Sequence, residues 1–205
     1  MTQQSVTPIF TIGYGDRSID EFIDVLRQHN LDYLIDVRSA PYSRFKPEFS
    51  KDALERALRQ QGIRYVFMGD TLGGRPNDPD CFVDGKVDYE LVKSKHFYQT
   101  GIGRLQTAFD RQLRVVLMCS EGKPEQCHRS KLISATLENL SIPVVHIDEN
   151  DQEQSQETII LRLTDGQLSL FGEPEFHSRK RYRTEPSGVQ ADDDAMSEMR
   201  YDDEG

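Results

Sequence analysis

The sequence is poor in cysteine, with only Cys81, Cys119 and Cys127 among its 205 residues. An odd and sparse set of cysteines argues against a disulfide framework and predicts reduced thiols. Long apolar runs are also missing, because no stretch approaches the roughly 20 residues that cross a bilayer. The first residues lack the basic and then apolar pattern of a signal peptide. We therefore expect a cytoplasmic protein without a membrane partner, and thiol or metal chemistry stays open.

The formal net charge is −10, but the charge is unevenly distributed. Residues 186–205 contain seven acids and one arginine and so carry −6, which leaves −4 for the rest of the chain. A basic cluster at 179–183 lies in that remainder. A local pocket for a small anionic or nucleotide-like ligand is compatible with this balance, whereas a face that binds duplex nucleic acid finds little support.

Apolar runs and helical periodicities alternate along the chain. Residues 9–12, 33–37, 63–68, 115–118 and 144–147 are expected strands. Helices are expected over 19–26, 51–61, 89–98, 104–112 and 131–140; Ser18 and Glu21 form a capping box, Ser50 can cap the second helix and Gly62 can end it. The pattern predicts an α/β fold, a Rossmann-like three-layer sandwich with a mostly parallel sheet of about five strands.

Three further segments have distinct patterns. Residues 69–87 are rich in Gly, Pro and Asp and are expected to form a long loop or lid beside the sheet. Residues 158–163 and 168–171 flank Asp165-Gly166 and predict a C-terminal hairpin or edge strand. We expect a flexible N-terminus over 1–8, one α/β domain over 9–172 and a disordered acidic tail over 173–205.

Reactive side chains concentrate where strand 115–118 ends and the next helix begins. Cys119, Glu121, Cys127, His128 and Arg129 lie in this segment. Ligands of open α/β sheets bind beyond the carboxyl ends of the strands, and a helix start attracts anions. Cys127 is the first candidate nucleophile, because the helix dipole and the adjacent cation favour its thiolate. Cys119 is a second, Glu121 a possible acid or base, and either cysteine could instead be a packing residue.

Other candidate residues follow the first and second strands. Asp36 could transfer a proton, while Arg38 and Ser39 could position a ligand, although Asp36 and Arg38 could equally form an internal pair. The guanidinium of Arg44 could bind a phosphate, or be part of a solvated turn. Residues expected to complete the pocket by binding substrate are Tyr14, Gly73, Gly74, His128 and Arg129.

The motifs also resemble one family. They are Thr11-Ile12-Gly13, then Asp36-Val37-Arg38-Ser39 with Pro41, Ser43 and Arg44, then Leu72-Gly73-Gly74, and finally Cys119, Glu121, Pro124 and Cys127-His128-Arg129. In this combination the chain is similar to the domain of unknown function 488 family over roughly residues 9–147. Family members commonly have Gly-His-Ser where this chain has Gly13-Tyr14-Gly15, so Tyr14 replaces a histidine. The resemblance implies no particular reaction.

Three chemistries were compared at the cysteine segment. A phosphatase-type thiol loop needs an arginine six positions after its cysteine, but Glu125 and Ile133 occupy those positions. A zinc site would use Cys119, Cys127 and His128 with a fourth group such as Cys81 or an acid. The seven-residue gap between the first two is not a zinc-finger spacing, so we assign no metal. A rhodanese-like sulfurtransferase would carry its persulfide on Cys119. The loop that follows the cysteine in that family is shorter than the stretch from Cys119 to the helix at Arg129.

The sequence therefore predicts an enzyme acting on a small phosphorylated or nucleotide-like substrate. Its pocket would use the Cys, His, Arg, Asp and Glu side chains at the carboxyl edge of the sheet. The alternatives are the sulfurtransferase and a non-catalytic module that binds a nucleotide or a nucleic-acid end. The sequence identifies no cofactor and no oligomeric state.

Overall fold

A six-stranded sheet with helices on both faces forms the body of the protein. The computed structural model describes residues 6–164, 177–178 and 180–182. From one edge to the other, its strands are residues 64–67, 33–36, 115–119, 9–13, 144–147 and 153–155; the first five are parallel, and the last runs antiparallel to its neighbour. The predicted Rossmann-like sandwich with about five parallel strands is confirmed.

The strands and helices follow the alternating pattern of the sequence. The strands are β1 (Ile9–Gly13), β2 (Tyr33–Asp36), β3 (Arg64–Phe67), β4 (Phe82–Val83), β5 (Lys86–Val87), β6 (Val115–Cys119), β7 (Val144–Ile147) and β8 (Glu153–Ser155). The α-helices are α1 (Ile19–Gln28), α2 (Lys51–Gln60), α3 (Gly69–Leu72), α4 (Tyr89–Ser94), α5 (His96–Asp110), α6 (Ala135–Asn139) and α7 (Gln156–Leu163). A π-helical segment, Arg129–Ser134, leads directly into α6.

Two apolar layers lie on opposite faces of the sheet. One contains Phe22 and Leu26 of α1 and Leu54 and Leu58 of α2, all completely buried. The other contains residues from α4, α5 and α6 and the side chain of Cys119. Capping agrees with the sequence in part: Ser18 and Glu21 form the capping box, whereas the Ser50 hydroxyl binds the backbone of Ser43.

The helices after the glycine-rich region differ from the prediction. We expected helices at 89–98 and 104–112. Instead, α4 ends at Ser94, and α5 begins after Lys95 and continues through Gly101 and Gly103. Gly101 packs against Leu72, whose Cδ2 atom would lie 2.7 Å from an added Cβ. This glycine therefore allows a close helix approach and does not end the helix.

Residues 69–87 also contain more regular structure than a lid loop, because α3 and the β4–β5 hairpin lie within them.

The strand predicted at 158–163 is wrong, because these residues belong to α7. Ser155 caps this helix by accepting a hydrogen bond from the Thr158 backbone at 3.2 Å, and Ile159 is completely buried. The sheet does have a C-terminal edge strand, but residues 153–155 form it. The second predicted strand, 168–171, lies outside the described residues.

A short C-terminal piece contacts the β4–β5 hairpin. Ser178 donates its backbone N–H to the Val87 carbonyl and accepts the Val87 N–H on its hydroxyl. The ring of Tyr182 packs edge-on against Phe82 and lies under the guanidinium of Arg75. Most of the predicted N-terminal and C-terminal segments lies outside the described residues, so those limits stay a prediction. Within the described chain, no helix is both long and apolar enough to cross a membrane.

Candidate functional site

The carboxyl ends of three central strands meet at one point of the sheet. Cys119 is the last residue of β6 and pairs with Gly13, the last residue of β1. On the other side of β6, Asp36 ends β2 and the Val37 N–H bonds the Met118 carbonyl at 3.1 Å. The site thus lies at the edge where open α/β sheets bind ligands.

Two thiols and one imidazole meet at this edge. The Nδ1 atom of His128 lies 3.6 Å from the Cys127 sulfur and 3.9 Å from the Cys119 sulfur. All three atoms lie within 4.8 Å of one another. The two cysteines are buried, with 5% and 2% of their surface exposed, whereas His128 is partly exposed. Of the three side chains, the imidazole is therefore the one that solvent reaches most.

The backbone fixes the orientation of His128. Its Nε2 atom lies 3.1 Å from the Val37 carbonyl oxygen, which can only accept, so Nε2 carries a proton. Nδ1 is then the ring atom that can accept a hydrogen bond from a thiol. Gly74 lies directly against the ring, since an added Cβ would be 2.8 Å from His128 Nδ1. The imidazole in this position therefore leaves no room for a side chain at residue 74, and the predicted role of Gly74 in binding substrate stays a prediction.

The surroundings shift the pKa values of the two thiols in opposite directions. Hydrogen bonding from Cys127 lowers the pKa of Cys119 well below its usual value, and the nearby His128 and Arg129 act in the same direction. Burial raises the pKa of Cys127, and the negative charge of Cys119 raises it further. The surroundings therefore favour ionisation of Cys119 over that of Cys127, with the Cys127 thiol as hydrogen-bond donor.

Arg129 supports the site from beneath and does not face solvent. It is completely buried, and its guanidinium donates to the backbone carbonyls of Glu121 and Gly122, the latter at 2.8 Å. Its Nε atom has no hydrogen-bond partner among the described residues. Neutral carbonyls satisfy donors without cancelling the charge, so a positive field remains beside the thiols.

The π-helical turn holds Arg129 and its neighbours in place. The Ser134 hydroxyl donates to the Arg129 carbonyl at 2.7 Å, and Gln156 donates its side-chain N–H to the Ser130 carbonyl at 3.1 Å. Gln156 is itself bonded to His146, whose other ring nitrogen lies 2.7 Å from the Thr11 hydroxyl. A chain of buried polar groups thus ties this turn to β1 and β7. Single π-turns within helices are frequent at functional sites.

Asp36 and Arg38 form the internal pair that was one of the two expectations. Both are buried, and the guanidinium grips the carboxylate with two hydrogen bonds of 2.9 and 2.6 Å. Tyr65 donates to the same carboxylate at 2.8 Å, and Arg38 also donates to the Phe49 carbonyl. One donor, Arg38 Nη1, has no partner among the described residues. The pair therefore stabilises the loop after β2 and leaves the two N–H groups of Nη1 without a partner among the described residues.

The remaining predicted residues surround this core at different distances. Tyr14 stacks on Phe49 with ring centroids 4.3 Å apart, and Ser39 accepts the Arg75 N–H at 2.8 Å. Gly73 is buried against Ser39. Arg44 is exposed on the loop after β2, with its guanidinium over the ring of Phe45. Glu121 contributes its backbone carbonyl to Arg129. The structure thus brings Cys119, Cys127, His128 and Gly74 together, with Arg129 behind them.

Two residues near the site were missed in the sequence. Tyr89 is buried, and burial together with the nearby Cys127 raises its pKa. Its position after the helix cap Asp88 gave no hint that it lies close enough to the cysteines to feel their charge. Glu125 has a buried carboxylate oxygen, Oε2, without a partner among the described residues. In the sequence, only its position between Pro124 and Cys127 indicated that Glu125 lies near the site.

The fold and the site define a class: a Rossmann-like α/β domain with a cluster of two thiols and an imidazole at the carboxyl edge of its sheet. The chain belongs to the family described as Domain of unknown function DUF488, which matches residues 18–136, more than half of its length. The predicted family is confirmed. No curated protein and no solved structure matches the chain.

Proposed function

We propose that the protein is an enzyme whose nucleophile is the thiolate of Cys119. The observation that carries the proposal is the arrangement of Cys119, Cys127 and His128 at the end of the central strand β6. A nucleophilic thiol needs a base within reach and an environment that favours the thiolate. His128 Nδ1, the Cys127 thiol and the buried charge of Arg129 supply these. We expect it to act in the cytoplasm, where thiols stay reduced.

The burial of both thiols favours a small reactant. Only 5% of Cys119 is exposed, so a bulky electrophile cannot reach its sulfur without displacing the residues that cover it. Sulfur transfer meets this requirement, because its donor can be a small ion such as thiosulfate and only one sulfur atom stays on the enzyme. The Cys127 thiol and the positive field of Arg129 would stabilise an anionic persulfide as they stabilise the thiolate.

The proposed reaction has two displacements. The Cys119 thiolate attacks the outer sulfur of a sulfane donor such as thiosulfate, the donor S–S bond breaks, and sulfite leaves with the bonding electrons. Cys119 then carries a persulfide. An acceptor nucleophile such as cyanide removes the outer sulfur as thiocyanate and restores the thiolate. No external oxidant or reductant is needed.

Thiocyanate formation from thiosulfate and cyanide tests this proposal. Cys119→Ala should abolish turnover and the mass increase of one sulfur atom, because no other thiol holds that position. Cys127→Ala should retain a reduced rate, because it removes only the donor to Cys119. Cys81→Ala is the matched control and should behave like the wild type, since Cys81 lies outside the cluster. Turnover that survives in Cys119→Ala would contradict the proposal.

A second candidate is an enzyme acting on a small phosphorylated or nucleotide-like substrate. The loop after β2 favours it, because Arg44 is exposed there between Tyr42 and Phe45, which are 71% and 69% exposed. A cation and two aromatic rings suit a phosphate and a base. Arg38 and Arg129 support it less, since their guanidinium groups are bound within the protein. Nucleotide binding by calorimetry that is lost in Arg44→Ala would favour this candidate, and binding without turnover would indicate a non-catalytic module.

A further inference from the structure

The two thiols and the imidazole also have the spacing of a metal site. In a tetrahedral zinc site, bond lengths of about 2.3 Å to sulfur and 2.05 Å to nitrogen place sulfur and nitrogen about 3.6 Å apart, and two sulfurs about 3.8 Å apart. The observed distances from His128 Nδ1 to the two sulfurs are 3.6 and 3.9 Å. All three donor atoms lie within 4.8 Å of one another, which is within about 1 Å of the separations in a zinc site.

The hydrogen bond from His128 to the backbone is the arrangement that metal sites require. A ligating imidazole nearly always donates its other ring N–H to a carbonyl or carboxylate, which fixes the tautomer and the ring plane. His128 Nε2 makes this bond with the Val37 carbonyl at 3.1 Å, which leaves Nδ1 directed at the thiols. Gly74 leaves room for the ring in this position. The imidazole therefore needs no reorientation to become a ligand.

Charge and access also suit a divalent cation. Two thiolates neutralise a zinc ion, so the loaded site adds no net charge to its buried surroundings. The seven-residue gap argued against a zinc finger, but here the end of β6 and the start of the next helix bring the cysteines together. The exposed side of His128 gives an entry path, and a water molecule would complete the tetrahedron.

We propose that Cys119, Cys127 and His128 bind one zinc ion, and that this binding switches off the thiol chemistry of Cys119. The binding itself rests only on the three donors, whereas the inhibitory role rests on the proposed function. In the zinc-bound form both sulfurs are ligands, so no nucleophile is free. Removal of the metal by a chelator restores the thiolate.

Zinc titration of the reduced, chelator-treated full-length protein tests the binding. We expect one zinc ion per chain, and an intense thiolate-to-metal charge-transfer band when cobalt(II) is used as the spectroscopic probe. Loss of an outer-shell partner weakens metal binding by about 10–100-fold, so removing a ligand in Cys119→Ala, Cys127→Ala or His128→Asn should weaken it at least about 100-fold. Cys81→Ala is the matched control and should bind as tightly as the wild type.

Alkylation of the wild-type protein makes the test independent of how the variants fold. Zinc should protect Cys119 and Cys127 from alkylation by the small reagent iodoacetamide, read separately for each cysteine by mass spectrometry, and should leave the rate at Cys81 unchanged. Absence of both stoichiometric binding and selective protection would overturn the proposal. Sulfur transfer in the chelator-treated protein is measured separately, so a protein that transfers sulfur but binds no zinc disproves this inference alone. Zinc binding without inhibition of an active enzyme would overturn the regulatory role.

Discussion

At the scale of single residues, some buried polar groups of the protein are charged and others, such as the imidazole of His146, are neutral. His146 is completely buried between the Thr11 hydroxyl and the Gln156 side chain. Burial and the nearby Arg129 lower its pKa to about 3. The folded protein therefore keeps this imidazole neutral at pH values where an unfolded chain would protonate it.

This difference predicts a loss of stability in acid. Because the pKa of His146 is lower in the folded state than the 6.5 of a free histidine, its contribution falls as the pH drops from about 6.5 towards 3. The free energy of unfolding should decrease by about 2 kcal/mol between pH 7 and pH 5 from this residue alone. Urea denaturation of the wild type and of His146→Gln at both pH values measures it. Equal pH dependence in the two proteins would contradict the assignment.

At the scale of elements, the end of β2 depends on the buried pair of Asp36 and Arg38. The carboxylate also accepts hydrogen bonds from Tyr65 and from the Arg38 backbone. It holds the loop after β2 beside the Val37 carbonyl, which orients His128. The pair is therefore a structural support of the site even though neither residue touches the thiols.

Removal of the carboxylate charge should damage this element. In Asp36→Asn the guanidinium of Arg38 stays buried without its counter-charge, and we expect a loss of about 3–5 kcal/mol in the free energy of unfolding. The control is Glu55→Gln, which removes the exposed ion pair with Arg59 on α2 and should cost less than about 0.5 kcal/mol. Chemical denaturation measures both. Similar losses in the two variants would show that burial of the Asp36 pair does not affect the free energy of unfolding.

The same elements explain what the sequence could and could not predict. The five parallel strands were predictable because each is an apolar run between helical periodicities, and the convergence of Cys119, Cys127 and His128 was predictable from their place at a strand end. The helical state of residues 156–163 was missed because its apolar residues also suit a strand and the cap at Ser155 was overlooked. Arg129 was expected to face a ligand, but nothing in a linear pattern tells whether a guanidinium is directed at solvent or at loop carbonyls.

At the scale of the whole molecule, the charge disfavours a large polyanionic partner, because the chain carries −10 in total and −4 even without residues 186–205. Negative proteins repel the phosphate backbone, and duplex binding requires a basic face. We therefore expect no measurable binding of duplex DNA at physiological salt in a fluorescence anisotropy titration. Binding that weakens steeply with added salt would contradict this expectation, since that behaviour is the signature of phosphate contacts.

The position of β6 also has a consequence for synthesis on the ribosome. This strand pairs with β2 on one side and β1 on the other, although more than 75 residues separate it from β2 in the chain. Until residues 115–119 emerge, the nascent chain lacks the strand that joins its first two β-α units, and each presents an unpaired inner edge. Such edges are where chains associate wrongly. The strand that carries Cys119 is thus also the one that joins the β1 and β2 units, so the site cannot form before these two inner edges are paired.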